Sequence, residues 1–281
     1  MKKFNIGIVG LGYVGKAVEA YFKRFFNLNT YDTNIESSCS SLEQLVNLSE
    51  IIFICLPTPM KKNGSTDLSI IDSVIKDINS IANRYSNKLV AIKSTIPVGT
   101  TNKFINKYDK IRICFNPEFL TEANYLEDFK NQNRIILGGD KIDDLFKLYS
   151  ETFTSAEIVK TDCQTAEMVK YVTNSFLATK VSYANEIESF CRHLNIDYNN
   201  MIKIASLDQR LGNSHWNVPG PDGKRGYGGT CFPKDISSLI YQFEQNEIQS
   251  IILKASFTRN NNIDRKEKDW QKLKGRAVSE D

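Results

Sequence analysis

The sequence is poor in histidine and lacks the cysteine spacings that are typical of metal sites. Only two histidines occur in 281 residues, and the six cysteines form no C-x-x-C pair. These absences argue against a zinc site and against a Ser-His-Asp triad. Several cysteines lie in apolar segments, where cysteine behaves as a small hydrophobe, so disulfides are not expected. Any acid–base chemistry would therefore have to use Lys, Asp, Glu or Cys, and no bound metal is expected.

A strong charge excess and long hydrophobic runs are missing as well. The formal net charge is +3, which is too small to indicate nucleic acid or an anionic membrane as a partner. No apolar run reaches the length of a membrane span, and the N-terminus has no signal-peptide pattern. We therefore expect a cytoplasmic protein that binds neither nucleic acid nor a membrane. A chain of this length, with 41% hydrophobic and 25% charged residues, suits two globular domains.

A glycine-rich motif follows the first apolar run. Residues 5–9 predict a buried strand, Gly10, Gly12 and Gly15 form G-x-G-x-x-G, and a helical pattern comes next. In this motif the first glycine makes a tight turn, the second lets a pyrophosphate approach, and the third allows close helix–strand packing. Asp32 ends the second predicted strand, where a carboxylate binds a ribose 2′-OH and repels a 2′-phosphate. The motif therefore predicts NAD as the cofactor rather than NADP.

Further apolar strands alternate with helical stretches, which predicts an α/β fold. We expect a Rossmann-like, doubly wound parallel sheet over residues 1–161. Polar loops follow three of the strands, at the sheet edge where such folds bind ligands; these loops are residues 56–59, 93–97 and 116–122. Their shared position at the carboxyl ends of the strands predicts that Thr95, Glu118 and Glu122 line a site.

One long helix is predicted from about residue 162 to 195, because this segment has helical periodicity and neither Pro nor Gly. At 1.5 Å per residue it would be about 45 Å long, more than one domain face needs. We expect it to open a mostly helical second domain, residues 162–281, and to form a homodimer contact. Lys170 and Asn174 lie one turn apart on it. By base rate Lys170 would be a surface lysine, but this pairing favours an active-site lysine that, with Asn174, stabilises charge on a substrate oxygen.

The decapeptide Gly226–Asp235 is the most specific motif of the chain. It places Cys231 after a glycine-rich loop and just before a predicted helix start at Pro233. A helix N-terminus and the neighbouring Lys234 favour the thiolate, which is the nucleophilic form. The alternative is a surface turn with an inert cysteine. A long irregular segment, residues 208–230, leads to the motif and is typical of functional loops. The charged tail after residue 263 is expected to dock loosely.

Together these motifs resemble the UDP-glucose/GDP-mannose dehydrogenase family. The matching segments are the glycine motif with Asp32, Ser94–Thr100, Asn116–Glu122, the Lys170 and Asn174 pair, and Gly226–Asp235. The resemblance implies oxidation of the C6 alcohol of a nucleotide sugar, UDP-glucose to UDP-glucuronate, with two NAD+ per turnover. It also implies a place in polysaccharide biosynthesis.

The resemblance implies a role for each matching residue. Cys231 would form a thiohemiacetal and then a thioester. Lys170 and Asn174 would stabilise the oxyanion, and Glu122 would be the base for the hydrolytic water. Thr95, Glu118 and Asp235 would position water and substrate. The cofactor-binding residues would be Gly10, Gly12, Tyr13, Val14, Gly15, Asp32, Pro57, Thr58, Thr95 and Lys234. The substrate-binding residues would be Phe119, Leu120, Arg210, Tyr227 and Gly228.

Typical members of the family carry a third, C-terminal domain that covers the nucleotide sugar, and this sequence stops at Asp281. The resemblance therefore implies a short form, in which residues 219–225 or a partner would supply part of the UDP-binding surface. Three alternatives stay open at this point. The substrate could be GDP-mannose or another nucleotide sugar. The chain could be a hydroxyacid dehydrogenase, which needs no nucleophilic cysteine. It could also be a catalytically idle NAD-binding subunit that needs a partner.

Overall fold

The computed structural model describes residues 4–83 and 87–280 and divides into two compact units. The first unit comprises the chain up to Thr58 and Leu68–Lys170, and the second comprises Pro59–Asp67 and the chain from Tyr171 onward. The division predicted from the sequence lies at residue 161. No sequence feature indicated that residues 59–67 pack with the second unit.

Within the described residues, the first unit is built on a seven-stranded sheet in the order β2-β1-β3-β4-β5-β6-β7. The strands are β1 Asn5–Val9, β2 Asn27–Tyr31, β3 Ile51–Ile54, β4 Leu89–Ile92, β5 Arg112–Phe115, β6 Arg134–Gly138 and β7 Glu157–Thr161. Neighbouring strands pair in parallel except β5 and β6, which meet in antiparallel fashion at Phe115 and Gly138. The Rossmann-like α/β fold is confirmed, and the expectation of a wholly parallel sheet is corrected at this one pairing.

The central strands form because their sequences are apolar throughout. β3 reads Ile-Ile-Phe-Ile and β4 reads Leu-Val-Ala-Ile, and all eight residues are buried. Strands covered on both faces by helices read as such continuous runs. Alternate side chains enter two separate cores: Phe53 joins a cluster with Phe22 and Tyr149, whereas Ile52 joins a cluster with Ile75. The sheet therefore has a packed layer on each face.

The helices of the first unit are α1 Tyr13–Phe22, α2 Leu42–Leu48, α3 Ser69–Ile81, α4 Thr100–Lys107, α5 Tyr125–Lys130 and α6 Asp143–Thr152. The long helix, α7, spans Cys163–His193, which confirms the predicted helix. The second unit continues with α8 Tyr198–Ala205, α9 Phe232–Gln245, α10 Ile251–Arg259 and a π-helical turn, Asn260–Asp264. Short 3₁₀ turns occupy Gln209–Leu211 and Asp269–Lys272. No helix among residues 4–83 and 87–280 has the length and apolar character that a membrane crossing needs.

The segment after residue 264 is docked firmly, so the expectation of a loose tail is wrong. Trp270 is only 3% exposed, and Ala277 is fully buried. The backbone of Met60 pairs with this segment, donating to the Ala277 carbonyl at 2.9 Å and accepting from the Ser279 amide at 2.8 Å. The charged side chains of the segment after residue 264 also form ion pairs. Asp269, for example, accepts from Lys224 at 2.7 Å. Backbone pairing and ion pairs together hold a segment whose composition suggested fraying.

Candidate active site

The turn between β1 and α1 has one open glycine between two crowded ones. A Cβ at Gly10 would lie 2.6 Å from the Cys55 carbonyl oxygen, and one at Gly15 would lie 1.9 Å from that of Gly10. At Gly12, the residue that precedes α1, an added Cβ would meet no neighbouring atom within 4 Å. Two of the glycines are therefore needed for packing, and the third leaves room for a ligand at the helix N-terminus, as a pyrophosphate requires.

Asp32 ties this turn to the end of β2. One carboxylate oxygen accepts from the Leu11 amide at 2.7 Å, and the other accepts from the amides of Asn34 and Ile35 at 2.8 and 3.1 Å. The carboxylate therefore has a fixed place beside the glycine turn. The open face of Gly12, the uncapped start of α1 and this carboxylate fit a dinucleotide with a free ribose 2′-OH. Of the neighbouring predicted residues, Tyr13 is 40% exposed and Val14 is half-buried.

The loops after β3 and β4 are joined to each other. The Thr58 hydroxyl donates to the Thr95 carbonyl at 2.8 Å, and the Ser94 hydroxyl donates to the Leu56 carbonyl at 2.6 Å. Thr58 and Thr95 are buried, whereas Pro57 is exposed. These predicted residues thus lie at the carboxyl ends of two adjacent strands, where doubly wound folds bind their ligands.

Glu118 and Lys170 form a buried ion pair in the first unit. The Lys170 ammonium lies 2.9 Å from a Glu118 carboxylate oxygen and 2.6 Å from the Glu118 carbonyl oxygen. Their side chains are only 10% and 3% exposed, respectively. Burial opposes ionisation of Glu118, but Lys170, the Leu120 amide and Lys93 together hold the pKa of the carboxyl below its usual value. The structure therefore confines an ionised carboxylate and a lysine at the end of β5.

Glu167 anchors the first turns of α7, one turn before Lys170. Its carboxylate accepts from the amides of Gly99 and Thr101, at 2.5 and 2.8 Å, and from the Thr101 hydroxyl at 2.6 Å. A fully buried carboxylate with three donors fixes the rotation of the helix against the start of α4. The role of Glu167 could not be predicted from the sequence, because it depends on partners 66 to 68 positions away.

Lys93 is a second buried lysine and is not among the predicted site residues. Its ammonium donates to the side-chain oxygen of Asn116 at 2.9 Å, and the same oxygen accepts from the Tyr149 hydroxyl at 2.5 Å. Burial lowers the pKa of Lys93 to about 8. The available signal was a lysine placed directly after an entirely apolar strand, where a charged residue needs partners.

The loop after β5 also carries the predicted residues Phe119, Leu120 and Glu122. Arg134 and Lys170 both approach the Phe119 ring, at 4.4 and 5.4 Å from its centroid. Leu120 packs against one of the cores, and its amide holds Glu118. Glu122 is half-buried, further along the same loop.

In the second unit, Cys231 directly precedes α9. The helix begins at Phe232 with Pro233 in its first turn, close to the predicted start. The Cys231 carbonyl accepts the first helical bond, from the Asp235 amide at 2.9 Å, and its half-buried sulfur lies 3.7 Å from the Thr230 hydroxyl. A thiol at the positive end of a helix is placed where the dipole favours the thiolate.

Asn174, Lys234 and Asp235 form one buried cluster in the second unit. The Asn174 amide donates to one Asp235 oxygen at 2.5 Å, and the Lys234 ammonium pairs with the other. Asp235 is 1% exposed and Asn174 is 6% exposed. The structure therefore brings three of the predicted residues together. Lys234 and Asp235 lie three and four positions after Cys231, and Asn174 contacts Asp235.

Tyr227 and Arg210 are also among the residues predicted to bind the substrate. The Tyr227 ring is buried in the core of the second unit, edge-on to Phe232 at 6.3 Å, so its side chain is not available to a ligand. The Arg210 side chain is 89% exposed and pairs with Asp208 of the same turn. Within the described residues, no group of three or more His, Cys, Asp or Glu side chains is arranged to hold a metal.

Sequence comparisons identify the chain at the level of its family. Residues 18–156 match the NAD binding domain of the UDP-glucose/GDP-mannose dehydrogenase family, and residues 164–262 match the central domain of the same family. The chain belongs to this family. Both matches agree with the geometry, since the first contains Asp32 and the Glu118 loop and the second contains Lys170, Asn174 and Cys231.

Individual relatives agree with the family assignment. The UDP-glucose 6-dehydrogenase of Rickettsia bellii is 40% identical over 226 residues, which cover 78% of this chain and 50% of that protein. A solved UDP-glucose dehydrogenase from Pyrobaculum islandicum superposes with a TM-score of 0.83 at 28% identity, covering 92% of this chain and 68% of that one. A GDP-mannose dehydrogenase from Pseudomonas aeruginosa gives a TM-score of 0.67 at 26% identity, with the same coverage. The chain spans about half the length of the curated relatives it matches.

Proposed function

We propose that this chain uses NAD+ to oxidise the C6 alcohol of UDP-glucose to the carboxylate of UDP-glucuronate. The observation that carries the proposal is the thiol of Cys231 at the start of α9, in a family member with an NAD-binding domain. A cysteine in this position suits covalent capture of an aldehyde and has no use in a simple alcohol–ketone oxidation. Family membership likewise favours nucleotide-sugar chemistry over the hydroxyacid alternative.

The residues of the first unit would hold the cofactor. The open side of Gly12 and the N-terminus of α1 suit the pyrophosphate, and Asp32 suits a ribose hydroxyl. The loops that carry Thr58 and Thr95 lie at the same sheet edge. When bound, NAD+ supplies the hydride acceptor for each two-electron oxidation.

The protein would carry the covalent part of the reaction on Cys231. Its thiolate adds to the aldehyde carbon, and the resulting alkoxide takes up a proton to give a thiohemiacetal. Loss of a hydride and a proton turns the thiohemiacetal into a thioester. Water then attacks the thioester carbon, and the carboxylate leaves as the thiolate is restored. Over the whole reaction one alcohol loses four electrons and consumes two NAD+ and one water. Glu122 would take the proton from the attacking water.

Lys170 and Asn174 would stabilise the negative oxygen that develops in each step. They lie one turn apart on α7, and each is held by a buried carboxylate: Lys170 by Glu118, and Asn174 by Asp235. Donors that are fixed before the reaction cost no reorganisation when charge develops. This support gives Glu118 and Asp235 a positioning role in the proposed mechanism.

Product stoichiometry tests the proposal directly. Purified protein with NAD+ and UDP-glucose is expected to form two NADH and one UDP-glucuronate per sugar consumed, measured by absorbance and mass spectrometry. One NADH per sugar, with aldehyde as the product, would contradict the covalent second oxidation. Turnover with GDP-mannose alone would reassign the sugar. NAD binding without turnover on any nucleotide sugar would favour the idle-subunit alternative.

We also propose that the chain forms a homodimer through α7. This helix exposes a stripe of large apolar side chains, Val172, Phe176, Tyr183 and Phe190, each more than half exposed. Their spacing of four, seven and seven residues keeps them on one face of the helix. Such a contiguous apolar stripe is typical of an interaction surface, and two-fold pairing would bury it on both chains.

The stripe predicts how the oligomeric state responds to charge. Phe176→Glu/Phe190→Glu is expected to convert a dimer to a monomer in sedimentation equilibrium, because two carboxylates would be buried in the interface. Ile251→Glu/Ile252→Glu, which charges an equally exposed part of α10, is the matched control and is expected to remain dimeric. A monomeric wild-type chain, or a dimer that survives the α7 changes, would contradict the proposal.

A further inference from the structure

The π-helical turn Asn260–Asp264 presents a buried carboxamide to the loop that precedes Cys231. Asn260 is fully buried. Its side-chain oxygen accepts from the Tyr227 amide at 2.8 Å, and its side-chain nitrogen donates to the Tyr227 carbonyl at 3.0 Å. Both backbone groups of one loop residue are thus satisfied by one side chain, 33 positions away in the chain. Departures from regular α-helix of this kind often occur next to functional sites.

The glycines on either side of Tyr227 are explained by the same turn. A Cβ at Gly226 would lie 2.3 Å from the Asn260 side-chain oxygen, and a Cβ at Gly228 would lie 2.5 Å from the Arg265 guanidinium. Gly229 differs, because a Cβ there would meet no neighbouring atom within 4 Å. Close packing against Asn260 and Arg265 therefore accounts for Gly226 and Gly228, and only Gly229 leaves open space beside the backbone.

Other side chains hold the loop at its beginning. The Asn185 side-chain oxygen accepts from the Gly226 amide at 3.2 Å. The Arg225 guanidinium pairs with Glu188 and donates to the Ser189 hydroxyl at 2.9 Å, so the loop is fastened to α7 as well. Every residue from Arg225 to Gly228 is therefore in contact with α7 or with the segment that follows α10.

Such fastening is needed because of the composition of the loop. Three of the four residues from 226 to 229 are glycine, and Gly226 and Gly229 both adopt positive φ, +66° and +73°. Unrestrained glycines sample many backbone conformations and lose more entropy on ordering than other residues. Only Thr230 separates this stretch from Cys231, so disorder in the loop would pass directly to the thiol.

We propose that Asn260 is a positioning residue, which fixes the glycine loop at Tyr227 and thereby holds Cys231 at the start of α9. The consequence for catalysis rests on the proposed function, because it requires Cys231 to be the nucleophile. A nucleophile must be held close to its target, and small displacements of reacting groups cost large factors in rate. In this role Asn260 acts through Tyr227 and does not itself bind the thiol or the substrate.

The test uses Asn260→Leu, which keeps the size of the side chain and removes both hydrogen bonds, and Asn260→Ser, which is smaller and tolerates a water molecule. Amide hydrogen exchange of a peptide covering residues 225–231 is expected to become at least about tenfold faster, with α9 beyond its first turn unchanged. With UDP-glucose, kcat is expected to fall at least about tenfold, while the Kd for NAD+ changes less than about twofold.

Tyr198→Phe is the matched control. It removes one buried hydrogen bond in the same unit, from the Tyr198 hydroxyl to the Trp216 carbonyl at 2.7 Å, without touching the glycine loop. This variant is expected to lose some thermal stability and to keep the wild-type kcat and the wild-type exchange of residues 225–231. If Asn260 had only a general structural role, its variants would instead behave like Tyr198→Phe, with lower thermal stability and with unchanged kcat and exchange.

If the wild-type chain is active, two outcomes overturn the proposal. Unchanged exchange in the 225–231 peptide would show that Asn260 does not hold the loop. Faster exchange with an unchanged kcat would show that the hold does not matter for Cys231. If the wild-type chain oxidises no nucleotide sugar, the proposed function fails separately. The rate of Cys231 alkylation by iodoacetamide, followed by mass spectrometry, then replaces kcat, and an unchanged rate in both Asn260 variants overturns the positioning role.

Discussion

Replacing Cys231 with serine is expected to lower the rate of UDP-glucuronate formation by at least about 10³-fold. A serine hydroxyl is far less acidic than a thiol, so it would need a general base to become a nucleophile. A thiol at a helix N-terminus is placed where the dipole favours the thiolate, so Cys231 needs no such base in the proposed mechanism. The loss should therefore be one of chemistry rather than of binding.

The measurement is NADH formation at saturating UDP-glucose, combined with calorimetric titration of NAD+. We expect the Kd for NAD+ to stay within about twofold of the wild-type value, because every residue assigned to the cofactor other than Lys234 lies in the first unit. Cys191→Ser is the control, since Cys191 is a buried free cysteine of α7 in the same unit. A Cys231→Ser variant with full activity would refute the covalent mechanism.

Lys170→Met is expected to destabilise the folded chain by about 3–5 kcal/mol at neutral pH, because it leaves the Glu118 carboxylate buried without its cation. It should also slow turnover strongly, because the donor proposed for the oxyanion is lost. Adding Glu118→Gln is expected to restore most of the stability, since glutamine keeps an oxygen for the Leu120 amide and carries no charge. The double variant should remain slow. Denaturant unfolding and kcat, measured on the wild type, Lys170→Met, Glu118→Gln and the double variant, separate the two effects.

The same pair predicts a pH dependence with a definite sign. In the wild-type chain the folded pKa of Glu118 is depressed below the ordinary 4.5, so its contribution to stability is present above pH 4.5 and is lost as pH falls through the folded value. In Lys170→Met, burial without the ammonium raises the folded pKa instead. The stability difference between the two chains should therefore shrink on going from pH 7 to pH 4. A difference that is constant over this range would contradict the assignment of an ionised Glu118.

The parts of the fold that the sequence reveals are those in which one segment carries its own signal. Ile51–Ile54 is apolar at every position, as a strand covered on both faces must be, and α7 shows uninterrupted helical periodicity. β7 was missed because Glu157–Thr161 is polar and largely exposed at the edge of the sheet, where pairing with β6 rather than burial holds it.

The same distinction, between residues with a signal in their own segment and residues without one, applies to the candidate site. Motif residues such as Cys231 and Asp235 could be proposed from the sequence because they lie four positions apart in one distinctive motif. Glu167 and Asn260 could not, because each acts through partners between 33 and 68 positions away. Their neighbours in sequence give no sign of those contacts. Spacing along the chain therefore predicts which groups react, whereas the tertiary contacts determine which groups hold them.

Residues 59–67 belong to the second unit although they are far from the rest of it in sequence. Thr66 contacts Ser238 of α9 although the two are 172 positions apart, and Met60 is paired with the backbone on both sides of Val278. On a ribosome this short segment emerges early and has to wait for most of the chain before its neighbours exist. Contacts of such long sequence separation are slow to form. A fragment that starts at residue 171 would contain Cys231 and its supporting loop, yet it would lack the segment that contacts Ser238 and Ala277, and we therefore expect it not to fold on its own.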